Sequence, residues 1–214
     1  GCGYPKNIPV PFTEDDFWIG FPDENSYGYS LAKKNLIVGA WAYKEQYNFP
    51  HTVLIPANLY GPHDNFNLET SHVVPALIRK FISAKENSDE SVICWGTGSP
   101  MREFMYVDDL AEAVLFVLEY WDPDDNDAPI NDAGEKLHYL NVGTGQDITI
   151  KELANIISRY TGFNGEIFWE NNKPDGTYRK TLDISRIKSL GWKHKLTLKQ
   201  GIKKLVKEIE ESLN

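Results

Sequence analysis

Apolar positions along the chain change period several times, and each change marks an element. Residues 29 to 48 are rich in helix formers, with Leu36, Ala40, Tyr43 and Tyr47 on one side and Ile37 and Trp41 beside them. This spacing predicts a helix whose apolar stripe is too wide for a single neighbour to cover. After Pro50 the run Thr52-Val53-Leu54-Ile55, closed by Pro56, reads as a short strand buried on both faces of a parallel sheet. From Thr70 the period is helical again, with Pro75 in the first turn and Val74, Leu77, Ile78, Phe81 and Ile82 on one face, ending near Lys85. Strand-like segments from Ser91 to Trp95 and from Glu103 to Val107 flank the turn Gly96-Thr97-Gly98-Ser99-Pro100. Asp108 is placed to cap a helix that turns Leu110, Val114, Val117 and Leu118 inward.

Residues 122 to 136, rich in Asp, Pro and Asn, read as a surface loop and as the most mobile part of the molecule. An EF-hand calcium loop needs Gly at its sixth position and Glu at its twelfth; counted from Asp122, those places hold Asp127 and Ala133, and calcium is rejected. A strand from Leu137 to Val142 follows. Thr149-x-x-Glu152 and Thr197-x-x-Gln200 each have the form of a capping box opening a helix. Helix followed by buried strand gives an α/β layer, and the second half reads as mixed α+β. With no repeat or low-complexity linker, the two parts are expected to pack together, with a cleft between them as the natural ligand site.

Composition narrows the classes. The chain has 214 residues, 41% hydrophobic and 25% charged, enough for a core. Its 22 Lys+Arg against 31 Asp+Glu give a net charge of -9, unfavourable for nucleic acid or anionic lipid. No apolar run is long enough for a membrane span, and Cys2 and Cys94 are too few for a disulfide scaffold, so a cytoplasmic protein is expected. The histidines show no ligand spacing, and no metal is assigned. Gly143-Thr144-Gly145 lacks the third glycine of a phosphate loop, where Ile148 stands, and reads as a turn.

Tyr29 and Lys33, four apart on a predicted helix, share a face. An ammonium one turn from a phenol favours the phenolate and makes the hydroxyl a usable acid toward a ketone being reduced. The pair alone is weak, since this composition produces about one such match by chance. Taken alone, Cys2 reads as an incidental thiol, His72 as a capping or interfacial residue, Trp95 as a core tryptophan, and Asp108 and Asp109 as helix caps rather than catalytic carboxylates.

The sequel changes the balance. Pro56-Ala57-Asn58-Leu59-Tyr60-Gly61-Pro62 resembles the nicotinamide-side loop of the extended short-chain dehydrogenase/reductases that act on nucleotide sugars, and Tyr60 to Phe66 resembles their GDP-sugar branch. Ser71-His72-Val73-Val74-Pro75, Trp95-Gly96-x-Gly98-x-Pro100-Met101-Arg102-Glu103-Phe104, Val107-Asp108-Asp109 and Lys173-Pro174-Asp175-Gly176-Thr177 stand in that family's order. The resemblance implies an α/β fold with a partial Rossmann-like parallel sheet over residues 1–66 and a smaller, mixed α+β nucleotide-sugar domain mainly over 67–214, some segments returning to the first layer. It implies epimerisation of GDP-4-keto-6-deoxy-D-mannose at C3 and C5, followed by reduction of its C4 ketone with NADPH. Cys2 and His72 match the family's acid/base pair. Tyr29 matches its reducing acid, and Lys33 its partner and ribose contact. Asn58, Leu59 and His72 lie beside the nicotinamide, and Lys80, Trp95, Arg102 and Lys173 match substrate contacts, although relatives often carry arginine where Lys80 stands. A homodimer through the Tyr29 helix is also implied.

Family members begin with a βαβ unit bearing a glycine fingerprint, and this sequence starts after the place of their catalytic serine. The expectation is therefore a fragment, whether from a truncated gene, a separately encoded N-terminal half or a deliberate cut, with an exposed strand edge and apolar surface that favour association. Two other functions remain open: another nucleotide-sugar epimerase, dehydratase or reductase, and a non-catalytic nucleotide-sugar binding or assembly remnant.

Overall fold

The computed structural model describes the backbone of residues 1–213 and the side chains of residues 1–211. In chain order the elements are α1 (Tyr27–Tyr47), β1 (Val53–Pro56), β2 (Asn58–Tyr60), α2 (Val73–Asn87), β3 (Ser91–Trp95), β4 (Met101–Tyr106) and α3 (Val107–Tyr120). They continue with β5 (Tyr139–Val142), β6 (Asp147–Thr149), α4 (Ile150–Thr161), β7 (Glu166–Glu170), β8 (Arg179–Lys180), α5 (Ser185–Ser189) and α6 (Leu198–Leu213). The chain divides into two compact units. The first joins Gly1–Ala57, Leu110–Gly145 and Lys180–His194; the second joins Asn58–Asp109, Gln146–Arg179 and the chain from Lys195.

The switch at Ala57 has a simple cause. Ala57 donates its N–H to the Val142 carbonyl at 2.9 Å and closes the parallel β1–β5 pair, whereas Asn58, the next residue, opens β2, which pairs in parallel with β4. Two adjacent strands thus join different sheets, and the chain leaves the first unit before residue 66. The division falls inside α3, after Asp109.

In the first unit β1 is parallel to β5, as its continuous apolar run requires, but only Ile55 of β1 is fully buried. The inner face of α1 differs from the expected stripe: Ser30, Lys34 and Ile37 are buried, while Leu36, Tyr43 and Tyr47 are exposed. Lys34 can occupy the inside because its ammonium is satisfied there. It donates to the carbonyls of Phe17 and Gly20 and lies over the Phe17 and Trp18 rings, at 4.7 and 4.9 Å from their centroids. Helix α3 also departs from expectation. Its apolar residues run round the helix, so period alone does not choose the inner face: Ala113 and Val117 are buried, while Val114 and Leu118 are exposed.

The loop of residues 122–136 is pinned by polar contacts. Lys44 pairs with Asp124, Lys136 donates to the Asp124 carbonyl, and Asn131 accepts the N–H groups of Ala133 and Glu135 at 3.0 and 2.7 Å.

The centre of this unit is polar. Asn141 on β5 has no solvent exposure; its Nδ2 donates to the carbonyls of Phe12 and Asp183 at 2.9 and 3.0 Å, and its Oδ1 accepts the Tyr4 hydroxyl at 2.6 Å. Its backbone N–H donates to Glu14 Oε1 at 2.8 Å, and Arg186 on α5 donates to Glu14 Oε2 at 2.8 Å. Burial raises the Glu14 carboxyl above its usual range, against the opposing pull of the Asn141 N–H and Arg186.

The second unit holds the apolar core. β4 pairs antiparallel with β6, and β3 parallel with β7, giving the expected mixed arrangement. Ile78 and Phe81 of α2, Leu153 and Ile157 of α4, and Ile202 and Leu205 of α6 are buried in one cluster with Val92, Cys94, Phe104 and Tyr106 from the strands. Both capping boxes form: Thr149 Oγ1 accepts the Glu152 N–H at 3.1 Å, and Thr197 Oγ1 accepts the Gln200 N–H at 3.3 Å. Asp108 and Asp109 are not the caps their sequence suggested. Both fall within the first turn of α3. Buried Asp109 accepts the N–H groups of Lys195 and Leu196 at 2.9 and 3.2 Å, fixing the approach to α6, and Asp108 pairs with Lys204.

Asn141→Ala strands the Tyr4 hydroxyl and two carbonyls and is expected to cost about 3 kcal/mol. A urea midpoint unchanged from wild type refutes that role. A second expectation concerns acid. Burial, with Lys44 and the stacked His51 ring next in weight, holds the His138 imidazole below its ordinary value of 6.5. The unfolded chain therefore takes up this proton at higher pH than the folded one, so the stability is present above about pH 6.5 and lost as pH falls below it. His138→Asn is expected to flatten that decline in melts between pH 7.5 and 5.5; an equal slope in both proteins contradicts it.

Candidate functional site

Three of the residues singled out in the sequence lie in the first unit. Tyr29, in the first turn of α1, is 61% exposed, and the Lys33 ammonium sits 5.5 Å from its ring centroid, as the four-residue spacing predicts. Among the described residues no carboxylate pairs with Lys33. Cys2 is half-buried and is held by a contact that the sequence did not disclose: Ser30, fully buried and adjacent to Tyr29, donates its hydroxyl to the Cys2 carbonyl at 2.9 Å. Ser30 also meets the Ser26 hydroxyl at 3.1 Å. Two residues on, the Tyr4 hydroxyl is fixed by Asn141, and Gly3 lies so close to the Phe17 ring that a Cβ would collide with it. The segment bearing Cys2 is thus tied to the first turn of α1 and to β5.

The other residues lie in the second unit. Asn58 is exposed on β2, its Nδ2 donating to the Glu103 carbonyl at 2.8 Å, and Leu59 beside it is half-buried. His72 is the N-cap residue of α2, yet its imidazole makes no cap hydrogen bond and is exposed, so backbone capping does not explain this side chain. Trp95, at the end of β3, is 66% exposed, which rules out the core reading. Two ammonium groups flank its ring, Lys80 from α2 and Lys173 from the segment after β7, each 5.4 Å from the centroid. Lys80 also donates to the Ile93 carbonyl at 3.1 Å. Arg102, half-buried on β4, donates to its neighbour's carbonyl at 2.7 Å and lies against Gly176, where an added Cβ would be 3.0 Å from its Nη2. Lys80, Trp95, Arg102 and Lys173 therefore come from four places in the sequence to one surface of this unit.

Reading the sequence left unassigned the residue that joins this surface. Asp175, within the quoted Lys-Pro-Asp-Gly-Thr run, accepts both the N–H and the hydroxyl of Thr97. The signal was a carboxylate inside a run otherwise suited to an anion. The second cysteine, Cys94, is buried in the core, and burial pushes its thiol up, with Lys80 partly opposing.

The arrangement offers two kinds of chemistry. An exposed phenol beside an unpaired ammonium, with a tethered thiol nearby in the chain fold, suits proton transfer. Two cations at an exposed indole, with Arg102 against the segment that bears one of them, suit a phosphorylated ligand with a flat or apolar portion. Among the described residues no cluster of His, Cys, Asp or Glu is arranged to hold a metal, and no helix is long and apolar enough to cross a membrane.

Comparison with known proteins agrees with the fold. Residues 1–131 match the model of the NAD dependent epimerase/dehydratase family. The probable GDP-L-fucose synthase 1 of Oryza sativa subsp. japonica is 43% identical over 201 residues, covering 94% of this chain and 57% of the rice protein. A GDP-6-OMe-4-keto-L-xylo-heptose reductase from C. jejuni superposes with a TM-score of 0.87 at 34% identity, covering 100% of this chain and 68% of that one. A GDP-L-fucose synthetase from Naegleria fowleri, solved bound to NADP, superposes with a TM-score of 0.82 at 29% identity over 99% of this chain and 64% of that one. The chain spans a little over half the length of the rice relative it matches. With a partial Rossmann-like α/β fold and these relatives, the chain belongs to the NAD dependent epimerase/dehydratase family.

Proposed function

We propose that this chain carries the nucleotide-sugar surface and the proton-transferring residues of a GDP-L-fucose synthase, converting GDP-4-keto-6-deoxy-D-mannose to GDP-L-fucose with NADPH. The observation that carries the reading is the meeting of Lys80 and Lys173 at exposed Trp95, with Arg102 against the same Lys173–Gly176 run, in a chain of net charge -9. A diphosphate is the chemistry that three such cations recognise, and the indole is free to pack against the attached sugar or base.

In this reading Cys2 and His72 move protons at C3 and C5. Inversion at a carbon next to a ketone needs a proton removed from one face and returned to the other, and a thiol and an imidazole are groups that can each give or take one. Tyr29 then protonates the C4 oxygen, with the Lys33 ammonium 5.5 Å from its ring centroid. The exposed, unpaired Lys33 and the neighbouring Tyr29 fit the ribose and nicotinamide side of NADPH, with Asn58, Leu59 and His72 as further contacts. NADPH, when bound, supplies the hydride. A Gly-x-Gly-x-x-Gly run is the feature that cradles the pyrophosphate of such a cofactor; these 214 residues hold none, and this reading draws it from outside them. The exposed Leu36, Tyr43 and Tyr47 on α1 offer a face for a second copy, and the cytoplasm is the compartment such chemistry fits.

A second reading, a GDP-sugar 4-ketoreductase that does not epimerise, is favoured by the likeness to the C. jejuni reductase. Solvent-deuterium exchange separates the two. In enzyme reconstituted with an N-terminal, glycine-fingerprint half, Cys2→Ser and His72→Asn are each expected to slow deuterium incorporation at C3 and C5 by about 10²-fold or more. Exchange at the wild-type rate in both variants removes the pair from the mechanism, and no exchange in the parent enzyme decides for the simple reductase.

A further inference from the structure

The Lys173–Thr177 run is exposed from Lys173 to Gly176, so apolar burial does not set its position. One side chain does. Asp175 Oδ1 accepts the Thr97 backbone N–H at 3.0 Å and its Oδ2 accepts the Thr97 hydroxyl at 2.7 Å. Thr97 Oγ1 in turn lies 2.7 Å from Ser99 Oγ and accepts the Ser99 N–H at 3.1 Å, so the carboxylate grips a turn that is itself knitted together. Gly96 leaves room for this approach. Its φ of +76° suits glycine, and a Cβ there would collide with Asp175 Oδ1. On one side of Asp175 stands Lys173, over Trp95; on the other stands Gly176, against Arg102.

We propose that Asp175 is a positioning residue: by gripping Thr97 it places Lys173 and Arg102 so that cations from two separate segments meet one diphosphate. The inference rests on the nucleotide-sugar reading of this surface. A carboxylate beside a phosphate site is electrostatically adverse to the ligand, so a contact role predicts that neutralising it strengthens binding without any need for its hydrogen bonds. A positioning role predicts the reverse dependence, on the hydrogen bonds and not on the charge. The hydrogen bonds from Thr97 also hold the Asp175 carboxyl below its usual range, with Arg102 adding a smaller pull.

Calorimetric titration of GDP into the 214-residue chain tests this. Asp175→Ala is expected to weaken GDP by about tenfold. Asp175→Asn keeps an oxygen for the Thr97 N–H and gains an amide that can donate to Thr97 Oγ1, so both links persist without the charge, and it is expected to bind within about twofold of wild type. Thr97→Val, which removes the gripped hydroxyl from the other side, is expected to weaken binding in the same direction as Asp175→Ala. Lys173→Ala is expected to cost less in the Asp175→Ala background than in wild type, because a lysine already displaced has less to lose. Wild-type affinity in Asp175→Ala, or an undiminished Lys173→Ala loss in that background, overturns the proposal while leaving the nucleotide-sugar reading intact. A wild-type chain that binds no GDP overturns both.

Discussion

A carboxamide shut away from water determines how the first unit is put together. An amide of this kind can donate twice and accept through its oxygen, and at Asn141 both donors and the acceptor are used by groups from three other segments. Each unmade bond would strand a buried polar group, so Tyr4, Phe12 and Asp183 are required at fixed places around β5. Hydrophobic contact alone does not impose that, because it is non-directional. The buried Glu14–Arg186 pair extends the same logic from the β5 backbone to α5. Buried ion pairs contribute little net stability against an apolar replacement, so this pair is better understood as fixing which segments meet. The consequence reaches the proposed chemistry, because the chain between Gly1 and Tyr4 carries Cys2.

The second unit is built the other way round. Three helices and the strands share a dry cluster, and polar precision appears at its rim: two capping boxes, Asp109 beneath the start of α6, and Asp175 on Thr97. An apolar core tolerates small shifts of the surface segments above it, whereas the diphosphate proposed for this surface needs cations placed to within a fraction of an ångström. A rim of short side-chain-to-backbone bonds over a rigid core meets both demands.

Much of this was legible in the sequence, for identifiable reasons. Strand β3 and both capping boxes follow from local chemistry, alternation in one case and an oxygen three residues from a matching N–H in the other. The parallel pairing of β1 followed from its unbroken apolar run. The inner face of α1 was not legible, because Lys34 is buried by virtue of the carbonyls of Phe17 and Gly20, which no helical period encodes. Nor was the exposure of Val114 and Leu118, since apolar residues run round α3 and its period does not choose a face. At the site, residue identities could be carried over from the family resemblance. The supports under them, Ser30 on Cys2 and Asp175 on Thr97, span 28 and 78 positions, and only the fold reveals them.

The lysine at position 80 shows how far such support can offset a change of residue type. An arginine would meet a phosphate through a planar fork with two parallel hydrogen bonds, and a lysine lacks that fork. The Lys80 ammonium, however, is not a free point charge on a flexible stem. One of its three protons is directed to the Ile93 carbonyl, and the ring of Trp95 lies 5.4 Å away, so its position is held from two sides before any ligand arrives. In the proposed site the remaining donors would meet a ligand with less rotamer freedom left to lose, which lowers the entropic cost of each contact. Lys173 over the same ring places a second cation within the reach of a diphosphate. Geometry that arginine carries within its own side chain is here distributed over a carbonyl, an indole and a second lysine, and this makes the exactness of the Lys173 segment matter more than it would beside an arginine.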